Sequence, residues 1–285
     1  MIRWTGAGAV AAPETLQIRV TKRFAGRVEA GAPTPTRTLS IDEVCANIRF
    51  FTVGMRKPRT RPCTALVLSG VTAPMAPQLL PAIHLARAEG VERITVHAPR
   101  EGGGLGALAE VADAAAMTVA GPQDIDALRQ VCGEAVRVTA VVLLDEAGLA
   151  VLGATLAAVA AIPVDQVVLT WPLLGPEPPH ADVVLPRLAA AVEPLRAAGI
   201  AYGLKGLPPC AVLRHGDGEW IGTWRSPNRW YVDADHQTRD ALLFFPDVVR
   251  FAKPDVCRFC ALSQRCDGVV QGWLDRGLAG RLEPV

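Results

Sequence analysis

The sequence has almost no net charge, no long apolar run and few cysteines. The 285 residues include 29 Lys plus Arg against 28 Asp plus Glu, so no global electrostatic field favours nucleic acid or an anionic membrane as a partner. The longest apolar run, residues 147–162, is shorter than the ~20 residues that a membrane-spanning helix needs. We therefore expect no nucleic-acid and no membrane partner, and we interpret the run as a buried, alanine-rich helix.

A secretory signal is also missing from the first residues of the chain. Residues 1–14 contain one basic residue and an apolar stretch that is too short and too interrupted for a signal peptide. We therefore expect a cytoplasmic protein with reduced thiols. The seven cysteines agree with this expectation, because an odd number argues against a full disulfide framework.

Short β-branched runs alternate with longer segments rich in alanine and leucine in the first two thirds of the chain. Strands are predicted at residues 16–21, 64–70, 93–98, 117–120, 136–144, 165–171 and 201–206, and helices at residues 40–53, 77–89, 123–131 and 183–198. Ser40 and Glu43 form a capping-box pattern, and Gly90 marks a helix end. This alternation predicts an α/β fold with a parallel sheet, either open or a partial TIM-like barrel, with ligands at the carboxyl ends of the strands.

The composition of the chain changes after Pro208. The remainder is rich in Trp, Arg, Asp, Pro and Cys and contains turn signals at residues 215–218 and 225–228. We therefore predict two domains, a partial barrel over residues 1–207 and an irregular, cysteine-rich module over residues 208–285.

Four cysteines of the C-terminal module have the spacing of a metal site. Cys257, Cys260 and Cys266 form a C-x2-C-x5-C cluster, and Cys210 directly follows the last predicted strand. Four thiolates suit either an iron–sulfur cluster or structural zinc, and uncoordinated buried thiols are the remaining alternative. The other three cysteines, which lie on predicted helices or strands and are interpreted as ordinary buried residues, are Cys45, Cys63 and Cys132.

The sequence resembles members of the radical SAM superfamily that carry a C-terminal auxiliary cluster. The final segment, CRFCALSQRCDGVVQGWLDRGLAGRLEPV, is similar to the closing segment of those proteins, and residues 16–24 and 66–98 are similar to the first strand and to the second strand, helix and third strand of their barrel. The resemblance implies a (β/α)6-type partial barrel and one auxiliary [4Fe-4S] cluster held by Cys210, Cys257, Cys260 and Cys266. Zinc in the same site is the alternative.

The chain departs from the radical SAM pattern after the first predicted strand. Family members have a C-x3-C-x2-C motif there, whose three thiolates hold a [4Fe-4S] cluster that binds S-adenosylmethionine. Aligned without gaps, this sequence places Phe24, Val28 and Gly31 at those positions, and none of them can ligate iron. The degenerate motif implies that the cluster for S-adenosylmethionine is lost.

A second departure follows the second predicted barrel strand. Family members have a G-G-E-P turn that holds the amino group of S-adenosylmethionine, and here Gly70, Val71, Thr72 and Ala73 stand in its place. The missing carboxylate removes a charge-assisted contact worth about 1.5 to 3 kcal/mol. We therefore expect no binding of S-adenosylmethionine.

Residues 228–237 form one further group of polar and aromatic side chains. Arg229, Tyr231, Asp233, Asp235 and His236 are candidate substrate-binding residues, and Asp235 beside His236 has the chemistry of an acid/base pair or a substrate clamp. The alternative interpretation is a structural segment that braces the metal loop through hydrogen bonds.

These observations predict a radical-SAM-like protein that retains one auxiliary cluster. The expected role is that of a non-catalytic partner of an active radical SAM enzyme, which binds substrate or relays electrons during modification of a peptide or metabolite. Two alternatives stay open: a stand-alone enzyme with different chemistry at the barrel mouth, and a zinc-stapled binding protein.

Overall fold

The computed structural model of the chain describes most of the predicted barrel and parts of the C-terminal region. The described residues are 15–23, 36–54, 63–98, 104–135, 137–171, 179–215, 229–233, 242–244, 251–263, 266, 268–270 and 274–275.

A parallel sheet forms the centre of the fold. Its seven barrel strands pair in the order β1, β4, β5, β6, β7, β8, β9, each parallel to its neighbour. Their bounds are Thr15–Arg19 (β1), Ala65–Ser69 (β4), Arg93–His97 (β5), Ala114–Val119 (β6), Val138–Leu143 (β7), Gln166–Thr170 (β8) and Ala201–Lys205 (β9). All seven predicted strands are therefore confirmed, with small shifts at their ends.

Two strands from the C-terminal region extend the sheet beyond β1. Strand β10, Arg229–Asp233, runs parallel to β1, and strand β11, Leu242–Phe244, runs antiparallel to β10. The sheet has edges at β11 and β9 within the described part of the chain. The predicted domain boundary between residues 207 and 208 stays a prediction, but residues on both sides of it share this sheet.

Helices connect the parallel strands. Their bounds are Ile41–Arg49 (α1), Leu80–Ala88 (α2), Ala107–Val111 (α3), Ile125–Glu134 (α4), Glu146–Ala150 (α5), Leu152–Ala160 (α6), Ala181–Ala191 (α7), Glu193–Ala197 (α8) and Pro209–His215 (α9). The predicted capping box is present, since Ser40 Oγ accepts from the Glu43 N–H at 3.2 Å and the Glu43 carboxylate accepts from the Ser40 N–H at 2.8 Å. The predicted α/β fold is confirmed.

The predicted alanine-rich helix at residues 147–162 is two helices, α5 and α6. They are separated at Val151, whose conformation is not helical. In the described ranges, no helix is long and apolar enough to cross a membrane.

The two faces of the barrel strands have different environments. Ile18, Leu68 and Val96 alternate with more accessible residues and are buried in the same hydrophobic core as residues of the helices. Gln17 and Thr95, on the opposite face, are half-buried. Since successive side chains of a strand point to opposite faces, one face of the sheet packs on the helices and the other is more accessible and more polar.

The carboxyl ends of β1 and β4 are closely packed around Gly70. This glycine has φ +69°, and a Cβ atom there would lie 2.3 Å from the carbonyl oxygen of Thr21. Thr21 begins β2, Thr21–Arg23, which forms a hairpin with β3, Thr36–Thr38. The Thr21 hydroxyl also donates to Met75 Sδ at 3.2 Å. The turn after β4 therefore packs directly on the hairpin that follows β1.

Gly70→Ala should destabilise the fold more than Gly90→Ala. Both glycines have positive φ, but no atom lies within 4 Å of a Cβ placed at Gly90. Gly90→Ala should therefore cost only the backbone strain, about 1 kcal/mol. Gly70→Ala should cost about 2 kcal/mol more because the new methyl group meets a backbone carbonyl. Urea unfolding followed by circular dichroism measures both values, and equal losses would show that the Gly70 contact is unimportant.

Candidate metal centre

Helix α9 positions the first of the four candidate ligands. Cys210 is its second residue, five positions after the end of β9, and its side chain is buried. The carbonyl oxygen of Pro208 accepts from the N–H groups of Ala211 and Val212 at 3.1 and 3.3 Å. Since β9 is parallel to the other barrel strands, Cys210 lies near the sheet edge formed by their carboxyl ends.

Consecutive short turns carry the second and third ligands. Cys257 lies in the 3₁₀ helix Asp255–Phe259, and Cys260 follows directly after it. Three backbone hydrogen bonds shape this segment: Cys257 N–H to Pro254 O at 2.9 Å, Cys260 N–H to Cys257 O at 3.3 Å, and Ser263 N–H to Cys260 O at 2.9 Å. The backbone therefore reverses direction between the two cysteines and again after them.

A two-stranded ladder closes this segment at its base. Strand β12, Phe251–Ala252, pairs antiparallel with strand β13, Val269–Val270. Gly268 has φ +89°, and a Cβ atom there would lie 2.1 Å from the carbonyl oxygen of Ala252. Only glycine fits this approach. We call residues 253–268, which lie between the two strands, the cysteine loop.

The fourth ligand is held within the cysteine loop. Cys266 is buried, and its sulfur accepts a hydrogen bond from the Gly268 N–H at 3.2 Å. Backbone N–H groups directed at sulfur stabilise the thiolate form, which is the form that binds metal.

All four sulfur-bearing side chains line one cavity. About 320 Å³ of space lies between its lining residues, a volume that includes open solvent. We call it the cysteine cavity, and its lining consists of Pro208, Cys210, Lys253, Cys257, Cys260, Leu262, Ser263, Cys266 and Gly268. The fold therefore brings Cys210 to a cluster that is 47 or more residues away in sequence.

Burial and mutual proximity both act on these thiols. Burial raises the pKa of Cys210, and negative charge on Cys266, Cys260 and Cys257 raises it further. Burial also raises the pKa of Cys257, with added contributions from Cys266 and Cys260. These mutual effects require the four sulfur atoms to be close together. A bound cation would relieve the repulsion that arises when the thiols ionise.

The donor set fits an iron–sulfur cluster or zinc. Four thiols around one cavity are the ligands that both prefer, and the donor chemistry alone does not separate the two. In the described part of the chain, no three His, Cys, Asp or Glu side chains are arranged as a metal site. None of the seven cysteines forms a disulfide.

The other three cysteines do not contribute to this cavity. Cys63 is buried beside β4, while Cys45 on α1 and Cys132 on α4 are half-buried. Burial raises the pKa of each of them.

The candidate substrate residues are only partly described. Arg229, Tyr231 and Asp233 belong to β10, with Arg229 opposite Thr15 and Asp233 opposite Arg19 of β1. Asp235 and His236 lie outside the described residues. The prediction that these five residues bind substrate therefore stays a prediction.

The two sites that depart from the radical SAM pattern are also partly described. Phe24, Val28 and Gly31 lie outside the described residues. The turn after β4 is described, with Thr72 exposed and its carbonyl oxygen accepting from the N–H groups of Met75 and Ala76 at 2.9 and 3.2 Å. No carboxylate occurs in this turn, Gly70–Ala73.

Lys253 and Gly268 are cavity residues that the sequence analysis did not identify. Both lie just outside the C-x2-C-x5-C cluster, at the two ends of the cysteine loop. The sequence does show a glycine two positions after the last cysteine of the cluster and a lysine four positions before the first. These two residues meet at the cavity because β12 pairs with β13, and strands of only two residues cannot be recognised in a sequence.

Two solved structures of SuiB from Streptococcus suis have a similar fold. SuiB bound to S-adenosylmethionine matches 94% of this chain and 75% of the SuiB chain, with a TM-score of 0.58 and 7% identity. SuiB bound to the precursor peptide SuiA matches 97% of this chain and 76% of the SuiB chain, with a TM-score of 0.56 and 7% identity. No family model and no curated protein sequence matches the chain. The likeness is one of fold, and it agrees with the partial barrel implied by the radical SAM resemblance.

Replacing one cavity thiol should abolish metal binding. Cys257→Ala removes a quarter of the donor set, so the purified protein should lose its metal, and the cysteine loop should become more sensitive to proteolysis because metal binding and local folding are coupled. Cys132→Ala is the matched control, because this thiol is half-buried on α4 and absent from the cavity lining. Metal analysis and limited proteolysis provide the measurements. Metal loss in Cys132→Ala but not in Cys257→Ala would contradict the assignment.

Proposed function

We propose that this chain is a radical-SAM-like protein that holds one auxiliary [4Fe-4S] cluster and serves as a non-catalytic partner of an active radical SAM enzyme. The observation that carries the proposal is the shared cavity of Cys210, Cys257, Cys260 and Cys266. Four thiols supply one ligand to each iron of a [4Fe-4S] cluster, so a cluster bound there would have all its irons ligated by protein. Such a site suits electron relay better than binding of a substrate to iron.

The positions at which radical SAM proteins bind S-adenosylmethionine have no suitable side chains in this chain, which supports the absence of reductive cleavage. Phe24, Val28 and Gly31 carry no thiol, and the turn Gly70–Ala73 carries no carboxylate. Gly70 and the carbonyl oxygen of Thr72 have structural contacts that hold the turn in place. The turn is thus held by backbone contacts, although it lacks the carboxylate of the motif.

The location of the candidate centre supports a role close to a substrate. Cys210 follows the carboxyl end of β9, and parallel α/β sheets bind ligands at that edge. SuiB, which has a similar fold, was solved with a precursor peptide. We therefore propose that the ligand is a peptide or small molecule, bound near the carboxyl ends of the strands and within reach of the cluster.

Zinc is the second candidate occupant, because the same four thiols satisfy its tetrahedral preference. A zinc centre would close the cysteine loop onto α9 and would make the chain a binding protein without a redox role. Iron and zinc analysis of protein purified without oxygen separates the two functions.

Protein isolated anaerobically should contain about four irons per chain. With S-adenosylmethionine and dithionite, and with no partner present, it should form no 5′-deoxyadenosine, because the thiolates and the carboxylate needed to bind the cofactor are missing. Iron and sulfide quantification and chromatography give the two readouts. Seven or eight irons, or multiple turnovers to 5′-deoxyadenosine, would refute the loss of the first cluster, and one zinc without iron would refute the auxiliary cluster.

The partner role is tested with an active radical SAM enzyme from the same organism. Co-expression should give a mixed complex on anaerobic gel filtration, and modification of the substrate should require both chains. Cys257→Ala should abolish modification but preserve substrate binding if the cluster relays electrons. Full modification by the enzyme alone would refute the partner role.

A further inference from the structure

A single lysine side chain connects the two ends of the cysteine loop. Lys253 directly follows β12, lines the cysteine cavity, and faces Gly268 across the base of the loop. Its Cγ atom lies 3.1 Å from the position that a Cβ atom would occupy on Gly268. The aliphatic part of Lys253 therefore packs at the narrow base of the loop, next to the glycine whose N–H donates to Cys266.

The ammonium group of Lys253 is held by the far side of the loop. Its Nζ donates to the carbonyl oxygen of Ser263, and Ser263 also lines the cavity. The carbonyl oxygen of Cys260 accepts from the Ser263 N–H in turn. The ammonium is thus held by the turn that starts at Cys260, one of the candidate ligands.

Two other charged side chains of the cysteine loop point to solvent and pair with each other. Arg258 pairs with Asp255 at 2.9 Å, and their side chains are 75% and 89% exposed. Neither lines the cavity, so Lys253 is the one charged side chain in the lining that the structure describes.

A centre held by four thiolates has an excess of negative charge, because the thiolates outweigh the charge of the metal. We propose that Lys253 is a positioning residue of this centre, whose ammonium, held by the Ser263 carbonyl, offsets the excess charge and stabilises the metal-loaded state. The inference rests on the proposed four-thiol centre and adds to it a residue outside the cysteine pattern. It also predicts that the reduced state of a cluster is stabilised, because reduction adds one more negative charge.

Three variants of the full chain separate charge from structure. Lys253→Met keeps the aliphatic stem and removes the charge and the donor, whereas Lys253→Arg keeps both. Arg258→Met removes a cation from the same loop at a position outside the cavity lining and serves as the matched control. Zn²⁺ affinity is measured by competition with a chromophoric chelator at 50 mM and 1 M salt, and the midpoint potential is measured on iron-loaded protein.

Lys253→Met should weaken Zn²⁺ binding about three- to fivefold at low salt, the range for an accessible charge pair. The difference from the unmodified protein should fall below twofold at 1 M salt, because ions screen an accessible charge. The midpoint potential of Lys253→Met should shift to lower values, while Lys253→Arg and Arg258→Met should resemble the unmodified protein.

Two results would overturn the inference while leaving the four-thiol centre intact. One is an affinity and potential of Lys253→Met that equal those of the unmodified protein. The other is a loss that is equal at both salt concentrations and is not rescued by arginine, which would identify a packing role alone. If the unmodified protein bound neither zinc nor iron, the proposed centre itself would be refuted.

Discussion

Burial of one face of a parallel sheet against helices is the constraint on which the rest of this structure depends. Ile18, Leu68 and Val96 lie in the core that faces the helices, and each is at most 1% exposed. Because helices connect consecutive strands of the main sheet from β1 to β9, these strands run in one direction and their carboxyl ends meet at one edge. The turn at Gly70 and the start of α9 at Pro209 follow two of these carboxyl ends, those of β4 and β9.

Two long-range contacts near the carboxyl ends of the strands bring the four candidate metal ligands together. Helix α9 presents Cys210, and the β12–β13 ladder returns the chain so that Cys257, Cys260 and Cys266 line the same cavity. The thiols are partly removed from water and repel one another when ionised, so their ionised form is unfavourable without a compensating charge. The proposed metal would supply most of this compensation, and the proposed role of Lys253 is to supply a further part.

Loss of a motif and retention of its scaffold have different physical costs. A missing thiolate or carboxylate removes a ligand contact but leaves the core unchanged, so the fold persists. The packing of Gly70 on Thr21 is a contact of the fold itself, and a larger residue there would meet the backbone. This difference explains how a fold similar to that of SuiB can be present at 7% identity. For the same reason, the proposed function is argued from the cysteine cavity and not from the fold.

The sequence alone determined the α/β alternation, the seven barrel strands and the capping box at Ser40, because these depend on local hydrophobic periodicity and on contacts between near neighbours. The cysteine spacing also marked a candidate site, since three of its four thiols are close in sequence. The resemblance to the radical SAM superfamily had already grouped Cys210 with this cluster, and the structure places it in the same cavity. Only the tertiary structure decided that β10 pairs with β1, that the run at residues 147–162 divides at Val151, and that Lys253 and Gly268 line the cysteine cavity. Pairing between strands more than 200 residues apart and closure by two-residue strands leave no periodic signal, because their stability comes from contacts that exist only after the chain has folded.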